Sequence, residues 1–309
     1  MRRTSLAAIA LLVLAQSLPA QLGYWPGDSL LAIGRLASAE SAYYSAVRVR
    51  PRDPAARTAL GKYLAARGAT RVGAVLLEEA RFFGGDSISL ARALVPLYGR
   101  LGDFAALDTL KPNVLTPAEH RRAAWLRNKP AQAAFRDSVV LRYQPLGDGR
   151  GLGTVIVALH RTEHAAIIDP RVSGLQVPAS MRGELRTFTN DTSTTLGVAD
   201  AIRIGGIVFS NVPATIAVDS SDVVRVGLDV VAPYAPRFDP VHRLLVLRRV
   251  ERRSPPPEGT RVPALFDDNG LRLLFGDRWY ASAAAMPAML LSTRSWTFDA
   301  RRGDLVLAP

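Results

Sequence analysis

The sequence predicts a multidomain α+β protein, helical in its first half and built of short strands in its second. Residues 28 to about 143 place Ala and Leu at helical spacing, whereas from residue 154 onward apolar residues come in short runs bounded by Gly, Pro and Asp. The bulk numbers agree: 309 residues, 48% hydrophobic and 21% charged, can bury a full core and fill two ordinary domains.

The N-terminus carries Arg2 and Arg3, then the apolar run Ser5 to Ala15, then Leu18-Pro19-Ala20. That order reads as a secretory signal, residues 1 to 20, cleaved near Ala20, because the apolar run is too short to cross a hydrocarbon layer of ~30 Å as a helix. An uncleaved anchor is the alternative, and in either case the body of the protein is expected outside the cytoplasm, in a periplasm or beyond. Every later apolar run is interrupted by a charge, so the mature chain is expected to have no stable membrane insertion. The chain has no cysteine, which excludes disulfides, thiolate metal sites and cysteine nucleophiles.

The net charge of +12 raises the question of nucleic acid, but 36 of the 39 basic residues are arginines scattered over both halves. A nucleic-acid footprint would cluster basic and stacking aromatic residues on one element. No nucleic-acid partner is expected.

Within the helical part, residues 21 to 144, Leu60, Leu64 and Ala65 and then Val75, Leu76, Glu79 and Ala80 fall on recurring faces. Leu60-Gly61-Lys62-Tyr63-Leu64-Ala65-Ala66-Arg67-Gly68 is echoed 34 residues on by Leu94 through Gly102. Residues 32 to 54 end in Pro51-Arg52-Asp53-Pro54, and Gly34 and Ala46 stand twelve apart, as small residues at close helix contacts would. This region resembles degenerate tetratricopeptide repeats. The resemblance implies stacked helix pairs with a concave surface suited to a peptide or protein partner; a generic helical bundle is the other reading.

Pro145-Leu146-Gly147-Asp148-Gly149-Arg150-Gly151 breaks the helical pattern and marks the expected domain boundary. Strands are expected at 154–160, 165–169, 201–209, 214–219 and 243–250, with a turn at 161–164.

In this β domain, residues 150 to 250, a strand runs into Asp169 and is followed by Ser173-Gly174-Leu175. Later come an Ile204-Gly205-Gly206 hairpin, Asn211-Val212-Pro213, Gly227-Leu228-Asp229, and Phe238-Asp239 before Leu245-Val246-Leu247. In that order and spacing the domain resembles the retropepsin-like aspartic proteases. The resemblance implies a homodimer or two-lobed chain in which each half supplies an Asp-Thr/Ser-Gly loop, with Asp169 as the catalytic position here. It also implies a flap over residues 187 to 200, with Thr187, Phe188, Thr189 and Asn190 as flap candidates.

The chemistry needs two neighbouring carboxylates that share a proton and activate one water. The hydroxyl after the aspartate locks the loops together, and the glycine permits a tight turn. This chain instead has Asp169-Pro170-Arg171. Pro170 brings no hydroxyl and no N–H, and Arg171 brings a guanidinium that stabilises an ionised carboxylate. Asp169 can also be read as a strand-end residue that caps its own turn.

The tail, residues 251 to 309, reads as a β-rich extension resembling part of a second lobe. Phe238-Asp239 with Leu245-Val246-Leu247 recurs sixty residues on as Phe298-Asp299 with Leu305-Val306-Leu307. Asp268-Asn269-Gly270 imitates a catalytic triplet, but its apolar flanks make it a hairpin turn. His160 and His164 bracket a turn without a third ligand, Ser173 lacks the Gly-x-Ser-x-Gly elbow, and no Gly-rich loop leads into a helix. Neither metal nor other cofactor is expected.

The resulting expectation is an exported, retropepsin-like protein that has lost catalysis and binds a protein or peptide. The competing readings are an active endopeptidase working as a homodimer through Asp169, and an envelope scaffold acting through its helices.

Overall fold

In a computed structural model, residues 25–110, 113–134, 138–146, 148, 150–188, 195–217, 222–249, 257–267, 270–300 and 302–308 are described, and all structural statements concern these. The segment expected to be an export signal, Thr189, Asn190, Asp268 and Asn269 lie outside them. No helix among the described residues is long and apolar enough to cross a membrane.

The helical part comprises α1 (Pro26–Ala32), α2 (Leu36–Val49), α3 (Pro54–Ala66), α4 (Thr70–Phe82), α5 (Ser87–Leu101), α6 (Phe104–Asp108) and α7 (Pro117–Asn128). Several of their starts are marked in sequence. Proline opens α1, α3 and α7, where its missing N–H costs nothing, and the Asp53 carboxylate accepts from the Ala55 N–H at 2.9 Å. Thr116 and Glu119 form a reciprocal capping box at α7.

Gly34, Gly68 and Gly102 stand 34 residues apart in the links α1–α2, α3–α4 and α5–α6, with φ of +72°, +88° and +65°. A side chain is disfavoured in that left-handed conformation, so the period visible in sequence is a period of helix turnarounds. Gly34 therefore is not the close helix contact expected of it. That contact is made by Gly61 and Gly73, where a Cβ on Gly61 would lie 3.0 Å from the Gly73 carbonyl oxygen.

The helices end at Asn128, short of the limit of 144 read from composition. β1 (Gln132–Ala134) and β2 (Ser138–Arg142) follow, and β2 pairs antiparallel with β12 (Leu244–Arg248), Val140 opposite Val246. Ser-Val-Val-Leu-Arg is too short to show a period, and its partner lies a hundred residues away, so only tertiary pairing decides it.

The first sheet contains β3 (Gln144–Pro145), β4 (Gly153–Leu159), β5 (Thr162–Asp169), β6 (Leu175–Val177), β7 (Arg186–Thr187), β8 (Leu196–Ile204), β9 (Ile207–Ile216) and β10 (Val224–Gly227), with β1 on its edge. The order β9-β6-β10-β5-β4-β8 closes on itself because β8 also pairs with β9, which makes a small barrel. β4 alternates buried and less buried residues, whereas the end of β5 is buried continuously, as expected of a strand flanked on both sides.

A second sheet has the order β15-β14-β13-β17-β16-β11-β12-β2, using β11 (Arg237–Asp239), β13 (Thr260–Asp267), β14 (Gly270–Phe275), β15 (Arg278–Ala281), β16 (Trp296–Asp299) and β17 (Asp304–Leu307). Two short helices, α8 (Leu228–Val231) and α9 (Ala285–Thr293), follow β10 and precede β16. The boundary expected at residue 250 thus cuts through one sheet. Val157, Ile168 and Val226 share a single buried cluster with Leu245, Trp296, Phe298 and Leu305. The tail completes the core of the β part.

The helices are tied to this β body. Arg67 donates to the Ala264 carbonyl at 2.7 Å and to Asp304 at 2.9 Å, and Trp279 Nε1 donates to the Leu31 carbonyl at 2.6 Å.

Candidate functional site

Two parallel strands build the site. β5 and β10 run side by side with Asp169 opposite Gly227, so the loop after Asp169 and the turn into α8 leave the barrel together. Gly174, at φ +68°, lets the first loop return tightly; a Cβ there would run into the Pro213 carbonyl oxygen. Its N–H donates to both Asp229 carboxylate oxygens, at 3.0 and 3.1 Å, and the Ser173 hydroxyl donates to Oδ2 at 2.7 Å. The Gly227 N–H donates to the Gly174 carbonyl at 2.6 Å. The Ser173-Gly174 continuation therefore clasps the loop to Asp229.

Asp169 itself is 2% exposed. Its Oδ1 accepts from the Arg171 backbone N–H at 3.0 Å, the self-capping turn that an aspartate before proline favours, and from Arg171 Nε at 2.9 Å. Its Oδ2 accepts from Arg171 Nη2 at 2.8 Å and Arg225 Nη1 at 2.6 Å. Both guanidiniums also donate to the Arg150 carbonyl, at 2.8 and 3.1 Å. A carboxylate offers about four acceptor positions, and all are used.

The two carboxyls are pushed in opposite directions. Burial alone would raise Asp169, but the bonds from Arg171 and Arg225 outweigh it and hold the group below the ordinary carboxylate range. Burial raises Asp229, with Ser173, Gly174 and the charge of Arg100 opposing it. Asp169 is thus an anion held among cations, whereas burial works against the charge of Asp229.

The tail closes on the loop. A Cβ on Gly270, at the start of β14, would meet Arg171 Cγ at 3.0 Å and the Pro170 carbonyl oxygen at 3.3 Å. β13 and β14 pair antiparallel with Asp267 opposite Gly270, as the hairpin reading of Asp268-Asn269-Gly270 requires of its flanks.

Of the flap candidates, Thr187 pairs with Gly197 in β7–β8, and Phe188 packs on Trp125 of α7 with ring centroids 6.1 Å apart. Arg121 Nε donates to the Phe188 carbonyl at 2.8 Å, so the helical part holds this segment. His160 sits in its turn with Nε2 3.1 Å from the Glu184 carbonyl oxygen. No group of three His, Asp or Glu among the described residues converges as a metal site.

A groove of about 820 Å³ runs between the helices and the tail, lined among others by Trp25, Tyr43, Lys62, Tyr63, Leu97 and Phe266. Arg100, also on its wall, stacks 4.9 Å above the Phe266 ring and donates to the Phe266 carbonyl at 3.1 Å. The same arginine supplies the charge that acts on Asp229.

The sequence singles out Asp169, Pro170 and Arg171, and shows Ser173 and Asp229 only as parts of longer motifs. It does not mark Arg225, the second cation on Asp169. Arg225 lies two residues before Gly227 on one strand face, a signal that becomes meaningful once β10 is known to pair with β5.

The chain matches no protein-family model and no curated protein. Among solved structures, a retropepsin-like aspartic protease from Rickettsia conorii is similar at 14% identity and a TM-score of 0.28, over 38% of this chain and 92% of that one.

Proposed function

We propose that this is an exported, retropepsin-like pseudoprotease whose β part no longer cleaves peptides and whose work is to bind a protein or peptide. The observation that carries the proposal is the state of Asp169: buried, with all four acceptor positions taken by Arg171 and Arg225. An aspartic peptidase needs a carboxylate free to hold a water and to exchange a proton with a second carboxyl. Asp169 can do neither while two guanidiniums keep it ionised and saturated.

The helical part, read as tetratricopeptide-like, supplies the binding surface in this proposal. Its groove combines apolar and aromatic walls with Lys62 and Asp86, a mixture suited to an extended peptide. The test is cleavage of an unfolded protein substrate between pH 3 and 7 by the purified mature chain and by Asp169→Asn, with a peptide pull-down in parallel. The proposal expects no cleavage attributable to Asp169, together with peptide capture that weakens when Lys62, exposed on the groove wall, is replaced by Ala. Cleavage that disappears in Asp169→Asn would reverse it.

A further inference from the structure

The second sheet contains the same hairpin twice. In β11–β12, Phe238 pairs with Leu245 and Asp239 with Leu244; in β16–β17, Phe298 pairs with Leu305 and Asp299 with Asp304. Each hairpin turns through a residue at left-handed φ, Arg243 at +57° and Gly303 at +61°. Each such residue accepts a backbone bond of 2.9 Å from the strand or loop outside it, from Tyr143 and Ala264 respectively. Each hairpin phenylalanine is met edge-on by an outer aromatic: Tyr143 on Phe238 at 5.3 Å and Phe266 on Phe298 at 6.0 Å.

The order is mirrored as well. Outward from the seam between β11 and β16 come β12 and β2 on one side and β17 and β13 on the other. At the seam Arg237 stands opposite Thr297 and Phe238 opposite Trp296, whose rings stack at 4.0 Å. Arg237 and Thr297 are sixty residues apart, the offset of the repeat, so the local twofold passes through this pair.

We infer that residues 296–307 stand in, within one chain, for a second copy of the β11–β12 hairpin, so that the protein is a self-contained monomer carrying one Asp169 loop. β16 takes the hydrogen-bonding edge of β11, the edge on which a second copy of this hairpin would pair by the same twofold. The departures from repetition act in the same direction. A second copy would set Arg237 against Arg237 across the seam, two like charges directly opposed, whereas Thr297 offers a hydroxyl. This bears on the competing reading of an active homodimer: a dimer joined at this edge would have to displace the chain's own C-terminal hairpin. It does not depend on whether Asp169 is catalytically dead.

Because the chain has no cysteine, a pair introduced by Arg237→Cys and Thr297→Cys is unique in it. Facing residues of an antiparallel pair lie ~5 Å apart at Cα, within reach of a disulfide. Oxidation of the double variant with oxidised glutathione should give a product of single-chain mass in non-reducing gels, and the native chain should scatter as a monomer over a wide concentration range. Cross-linked pairs of chains, a native dimer, or failure of the two cysteines to join in a variant with wild-type circular dichroism would each overturn the inference.

Discussion

Arg225 reaches Asp169 across two parallel strands, its Nη1 lying 2.6 Å from the carboxylate Oδ2. Arg225 and Gly227 lie on one face of β10, and Gly227 is opposite Asp169, so the strand register delivers the guanidinium to the carboxylate. Arg171 approaches the same group from within the loop, at 2.9 and 2.8 Å. Bonded from both sides, the aspartate ties β5, β10 and the loop together.

Asp169→Asn should destabilise the fold at neutral pH by about 3–5 kcal/mol, because it leaves two partly buried arginines short of their counter-charge. The pH dependence follows from the lowered pKa: a carboxyl depressed in the folded state stabilises it above the unfolded value of about 3.9, and that contribution fades as pH falls through the folded value. Urea unfolding at stepped pH should therefore show the gap between wild type and variant narrowing below about pH 4.

Arg225→Met and Arg171→Met should not cost the same. Arg225 is 21% exposed and Arg171 48%, so water replaces the second guanidinium more readily than the first. Thermal melts should place Arg225→Met at about 3 kcal/mol, in the range of a broken buried pair. Arg171→Met should fall lower, nearer the cost of an exposed one.

Gly174→Ala tests the clasp to Asp229. The left-handed φ and the collision with the Pro213 carbonyl together should cost about 2–4 kcal/mol. The urea midpoint should fall at constant m-value, since the change strains the native loop without altering the surface exposed on unfolding.

Thr297→Arg would restore at the seam the charge that the repeat lost, setting a guanidinium opposite Arg237. A cross-strand pair of like charges should lower stability by up to about 1 kcal/mol, and the loss should shrink in high salt. A salt-independent loss would point to packing instead.

Much of this was legible in the sequence, and the parts that were not share a cause. The 34-residue period and the sixty-residue echo are visible because each repeats residues with fixed conformational duties, the turnaround glycines and the Phe-Asp hairpins. The departure from an Asp-Thr/Ser-Gly triplet is visible at Pro170 and Arg171. Arg225, the strand character of residues 138–142 and the joining of the tail to β11 and β12 could not, since each is decided by pairing between distant segments. Gly34 was misjudged for the opposite reason: a small residue at repeat spacing serves a turn as well as a close contact.

Whether Asp169 is a structural anion is decided by cleavage of an unfolded substrate between pH 3 and 7 by the purified chain, compared with Asp169→Asn. A structural anion gives no difference between the two at any pH where both remain folded. Proteolysis by the wild type that vanishes in the variant, while the variant keeps its fold, would contradict it.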